Sequence, residues 1–156
     1  MNPIAFADAF HALTGNRPFP WQEAMFECFT RNDIPATASI PTGLGKTSVI
    51  AIWLIALARH PESIPRRLVY VVNRRTVVDQ TTEEVRKYRV NLARISPWFK
   101  SLGLSTLRGQ FADNREWSAD PSQPAVICGT VDMIGSRLLF SGYSTGYKSK
   151  PLHAGF

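Results

Sequence analysis

The sequence predicts an α/β protein built on an open parallel sheet. Two runs, LVYVV at 68–72 and AVIC at 125–128, are continuously apolar and β-favouring, as strands covered on both faces are. Stretches with helical periodicity follow each of them, over 76–94 and 131–140. A glycine-rich stretch, PTGLGKT, separates a short extended segment from a long apolar run, giving strand, loop and helix in that order. Strands alternating with helices run parallel, and ligands of such sheets gather at the carboxyl ends of the strands.

Taken in order, Asn2 and Pro3 start a helix whose apolar Ile4, Phe6, Phe10 and Leu13 precede a glycine stop at Gly15. A second helix is expected over 21–31. Ile34 and Pro35 lead into a strand at 36–40, which ends at the glycine loop, and a helix over 46–60 follows. Pro61 and Pro65 punctuate the linker to the strand at 68–72. Beyond the helix at 76–94, a turn at Pro97 and Trp98 precedes a third strand at 105–107. A polar excursion over 108–124 then reaches the last strand and helix. Residues 141–156 are rich in Gly, Ser, Tyr and Lys without periodicity and read as a flexible tail. With 156 residues and 44% hydrophobic content, the chain suffices for one core, hence one domain.

The formal net charge is +6, and Arg66, Arg67, Arg74, Arg75, Arg86, Lys87, Arg89 and Arg94 are concentrated in one third of the chain. Such clustering favours an anionic partner, nucleic acid or an acidic protein face, although a solvated basic face also accounts for it. Cys28 and Cys128 lie far apart with no CxxC spacing, which suggests neither a disulfide framework nor a zinc cluster and suits a cytoplasmic location. His11, His60 and His153 have no metal-ligand spacing. The N-terminus lacks the basic and apolar regions of a secretory signal, and the apolar run at 49–58 is too short to cross a bilayer.

The chemistry is concentrated in the glycine loop. Gly43 and Gly45 let the backbone turn its N–H groups inward beside Thr42 and Leu44, and the N-terminus of the next helix adds a positive dipole end. Lys46 is placed to reach the β and γ phosphates of ATP, and the Thr47 hydroxyl to hold Mg²⁺. Ile40 stands where the GxxxxGK[ST] pattern has its first glycine. A chance turn capping a core helix is the bland alternative, and the flanking strand and helix argue against it. Upstream, in RPFPWQ, the Gln22 amide can pair with the N6 and N7 edge of adenine, while Arg17, Phe19 or Trp21 covers the base. Alternatively, Phe19 and Trp21 are core aromatics and Gln22 merely opens a helix.

The segments PFPWQ, IPTGLGKT, VYVVNRRTVVDQ, LRGQ and ICGTVDMIGSRLLF occur in the order seen in the first RecA-like domain of superfamily 2 (DExH-type) helicases, which the chain resembles. Phosphate loops of that class commonly relax the first glycine. More narrowly, NRRTVVDQ, GTVDMIGSR and YKSKPLHAGF resemble the CRISPR-associated helicase and nuclease of type I systems, subtype I-U (I-G) among them. The resemblance implies ATP-driven movement along single-stranded DNA after recruitment by an RNA-guided surveillance complex in antiviral defence. It also implies contacts to one strand's phosphates from Asn73, Arg74 and Arg75, from Arg108 and Gly109, and from Thr130, Asp132 and Arg137. Physically, a translocating enzyme grips any sequence, so it uses arginines, hydroxyls and helix N-termini on phosphates. Each position also has a bland role: Thr130 as an N-cap, Asp132 as a first-turn dipole partner, Arg137 as an exposed helix residue.

Hydrolysis requires more than a cradle. An acidic strand end must hold Mg²⁺ and polarise water, and an arginine must stabilise the transferring phosphoryl group. In the resembled helicases the acids come from a DExH segment just beyond the equivalent of PLHAGF, and the arginine from a second RecA-like domain. The chain therefore reads as the N-terminal part of an ATP-binding domain, truncated before DExH, whose partners include that second domain and a nuclease domain. Weak nucleotide binding without turnover is expected of it, along with an exposed sheet edge prone to association. Two other readings fit: a small P-loop kinase with its lid in 108–124, and a non-enzymatic nucleic-acid-binding module whose loop is vestigial.

Overall fold

The computed structural model describes residues 5–95, 102–108, 111–112, 116–120 and 122–139. The expected tail at 141–156, the Asn2 and Pro3 helix start and the Pro97 and Trp98 turn lie outside them.

Three parallel strands form the centre of the sheet: β1 (Arg67–Val72), β2 (Gly103–Arg108) and, between them, β4 (Ala125–Thr130). A two-residue strand, β3 (Phe111–Ala112), pairs antiparallel with β2, so the order is β1-β4-β2-β3. The predicted open parallel sheet is thus present, with an antiparallel edge that the excursion at 108–124 had not suggested. The centre strand, AVICGT, is buried along its whole length because it is covered on both faces. Its side chains alternate accordingly, Val126 and Cys128 entering one apolar cluster, Ala125 and Ile127 the other.

Helices flank both faces. The larger cluster draws on α1 (Phe6–Thr14), α2 (Pro20–Thr30), α3 (Val49–Arg59) and α4 (Arg75–Ile95). The smaller one draws Trp117 from α5 (Glu116–Ala119), and Met133 and Ile134 from α6 (Val131–Leu138). Connectivity explains this division. The chain passes from β1 through α4 to β2, then back through α5 to β4, and right-handed crossovers in opposite directions place their helices on opposite faces.

Local sequence sets the helix limits. Gly15, at φ 78°, ends α1 and donates its N–H to His11 at 2.8 Å, as a left-handed C-cap does. In α3 every residue from Ile50 to Leu57 is buried, so the helix is apolar all round, and Trp53 satisfies its indole N–H on the Pro65 carbonyl at 2.9 Å. The QTTEEVR stretch of α4 presents exposed ion pairs, Arg86 to Glu83 at 3.0 Å and Lys87 to Glu84 at 2.7 Å. Such pairs contribute little stability.

Two expectations need correction. Residues 36–40 were expected to form a strand, but they pair with none of the described strands, and 36–39 are exposed. Extended sequence becomes a strand only when a neighbour takes up its N–H and C=O groups. The helix expected from Lys46 instead opens as a 3₁₀ turn, Lys46–Ser48, before α3 begins at Val49. Both the N–H and the hydroxyl of Ser48 donate to the Gly45 carbonyl, at 3.0 and 2.6 Å, which tightens this first turn.

Candidate nucleotide and nucleic-acid site

The loop ahead of α3 has the backbone a phosphate cradle needs. Gly43 and Gly45 lie at φ 89° and 67°, a left-handed conformation that L side chains rarely adopt. Lys46 follows at once and is exposed, and Thr47 is half-buried beside it. The loop is tethered to the start of α2. Trp21 donates its indole N–H to the Leu44 carbonyl at 3.1 Å. Gln22 accepts the Phe19 N–H at 2.7 Å and donates to the Ser48 hydroxyl at 2.6 Å.

Gln22 is only 3% exposed, and it opens α2 as well as bracing the loop. A glutamine amide has two lone pairs and two hydrogens, so one acceptor and one donor position remain on it. It lines a cavity of about 390 Å³ together with Arg17, Phe19, Gly45, Thr47 and Tyr88. Phe19 is 46% exposed, and Arg17 is held by Asp8 at 3.1 Å. Glu84, paired with Lys87, is the one acid on the cavity wall among the described residues. Burial, with the nearby Glu84 charge adding to it, pushes the Tyr88 phenol up to about 12, so it stays a neutral donor. Glu84 and Tyr88 belong to a helix remote in sequence, and nothing in their local pattern marked them. Ser48 and the bracing role of Trp21 were also missed, because a hydrogen bond between loop and helix start depends on packing.

At the carboxyl end of the sheet, Val72 pairs with Thr130 and Leu107 with Gly129. The ends of β1, β4 and β2 are therefore level, and two strand spacings carry the row across roughly 10 Å. Asn73 and Arg74, leading into α4, and Arg75, its first residue, are all exposed at one end of this row. Arg108 closes β2 at the other end, and Gly109 lies outside the described residues. Between them, Thr130 is the N-cap of α6 and is buried, while Asp132 in the first turn is exposed. Arg137, expected on the surface, is buried at 5% exposure in the last turn of α6, where a cation faces the negative end of the helix dipole. The chain leaves β1 toward one face and β4 toward the other, which makes the gap between Asn73 and Thr130 a topological switch point.

A glycine cradle at the head of a helix, set against an open parallel sheet, defines a P-loop nucleotide-binding domain. Residues 17–147 match the family described as type III restriction enzyme, res subunit, and the chain belongs to that family. It is accordingly a helicase-like, RecA-like ATP-binding domain of superfamily 2, a class that uses ATP and Mg²⁺. Comparisons with curated proteins and with solved structures return no match. Among the described residues, no helix is long and apolar enough to cross a membrane.

Proposed function

We propose that the chain binds Mg-ATP at residues 42–47 as part of a motor that moves along single-stranded DNA. The observation that carries this is the cradle itself: two left-handed glycines, an exposed lysine and a helix start, braced from α2. Lys46 would neutralise the β and γ phosphates, and Thr47 would hold the Mg²⁺. The remaining donor and acceptor of Gln22 suit the N6 and N7 edge of adenine, and exposed Phe19 and Arg17, which line the same cavity, would cover the base. Asn73, Arg74, Arg75, Arg108 and the Thr130 end of α6 would follow the phosphates of one strand, as the level sheet end supports.

Turnover is not expected of this chain alone. Among the described residues, the one acid on this cavity is Glu84, whose carboxylate already pairs with Lys87. The acidic segment and the second-domain arginine of the resembled helicases would supply hydrolysis. A role in type I CRISPR interference, alongside an RNA-guided surveillance complex, is supported by NRRTVVDQ and GTVDMIGSR in sequence. A native-gel assay of the chain with such a complex on its DNA target tests it, and no shift at any concentration would remove it.

The decisive experiment titrates the chain with a fluorescent ATP analogue and Mg²⁺, beside Lys46→Ala, following phosphate release with and without single-stranded DNA. Binding that the variant loses, with no phosphate released, is the expected result. Equal binding by both proteins would reduce the loop to a structural turn, and clear turnover would require a catalytic acid in this chain.

A further inference from the structure

The geometry points to Trp21 as a positioning residue for the phosphate site, one that orients a loop peptide through its indole N–H and does not stack on the base. The argument concerns two successive peptide planes. In a trans peptide, the carbonyl and the following N–H point in opposite directions. Among the described residues no peptide is cis, so the direction of the Leu44 carbonyl sets that of the Gly45 N–H. Trp21 holds the Leu44 carbonyl toward α2 at 3.1 Å, which turns the Gly45 N–H away from the indole. The next plane is fixed likewise. Ser48 holds the Gly45 carbonyl at 2.6 Å and is itself held by Gln22 at 2.6 Å, so the Lys46 N–H is also directed.

Orientation is needed here because Gly43 and Gly45 flank Leu44, and glycine peptides rotate freely without an outside constraint. A cradle whose N–H groups wander must order them on binding, which weakens affinity. Adjacent residues at one helix start, Trp21 and Gln22, thus set adjacent peptides of the loop. This inference rests on the ATP-binding reading above and deepens it.

The test uses the whole chain with two probes, Mg-ATP and Mg-tripolyphosphate, the second carrying no base. Trp21→Phe keeps an aromatic ring and removes the donor. Replacing Trp21 by benzothienylalanine, with sulfur in place of the N–H, preserves the bicyclic shape. Thermal unfolding and Lys46→Ala run in parallel.

One hydrogen bond predicts a loss of about three- to ten-fold in affinity for both probes, by the same factor in each, with both replacements. Unchanged affinity in the benzothienyl protein would overturn the inference even if Trp21→Phe failed to fold. A loss confined to ATP would also overturn it, since Trp21 would then be acting on the base. If the wild-type chain and Lys46→Ala bind neither probe, the ATP-binding reading falls first and takes this inference with it.

Discussion

Cys128 sits at 0% exposure in the middle of the central strand, and Tyr88 at 5% on the buried side of α4. Burial pushes the thiol from 9.0 to about 12, with the Thr82 hydroxyl pulling slightly the other way, and it pushes the phenol from 10.0 to about 12. Both groups hold their protons more tightly in the folded state than in the unfolded one. Their contribution is therefore complete below the unfolded values and is lost as pH rises toward the folded ones. Stability is expected to hold steady to about pH 9 and to fall between there and about pH 12, with a shallower fall in Cys128→Ala. Urea titrations across that range measure it. A thiol reagent at neutral pH is expected to leave Cys128 unmodified in the folded chain, as mass spectrometry of the labelled protein would show.

At the scale of elements, α6 packs tightly against the sheet at Gly129 of β4. A Cβ there would lie 2.8 Å from Ile134 Cδ1 and 3.2 Å from Leu107 Cβ, with buried neighbours on both sides. Gly129→Ala is expected to cost about 1–3 kcal/mol through overpacking. Gly135, inside α6, is the converse case, since nothing lies within 4 Å of a Cβ built on it. Gly135→Ala should stabilise by about 0.5–1 kcal/mol by removing backbone freedom from the unfolded chain. Denaturant midpoints of the two variants should move in opposite directions. A shift of the same sign in both would mean that α6 does not pack on β4 as described.

For the whole molecule, the excess of six positive charges acts through where the folded chain displays it. Arg74 and Arg75 are exposed where α4 leaves the sheet end, whereas Arg67 lies 5.9 Å over the Trp117 ring and Arg89 is paired with Glu116 at 3.0 Å. If Arg74 and Arg75 each neutralise one phosphate of single-stranded DNA, replacing both by Ala should lower the salt slope of binding by about 1.4. The loss should be uniform across DNA sequences, because phosphate contacts carry no base information. Affinity measured over a salt series tests both statements. An unchanged slope would move the interface away from this sheet end.

Much of the architecture was legible because it depends on local pattern. LVYVV and AVIC are continuously apolar, and strands covered on both faces must be; Gly15 stops a helix because it tolerates a left-handed backbone. PTGLGKT was legible for the same reason, as spacing and residue type carry its chemistry. Pairing and burial were not. Residues 36–40 look like a strand yet pair with none of the described strands, since a strand is a relation between segments. Arg137 reads as a surface cation and is buried, and Gln22 reads as a base contact and also braces the loop. By itself the sequence determined the two apolar strands and the helices that follow them, the phosphate loop and the basic excess, all properties of neighbouring residues. Only the tertiary structure decided which carbonyl Trp21 holds, which arginines face solvent and how Asn73, Thr130 and Arg108 come level, because packing across distant segments sets those directions.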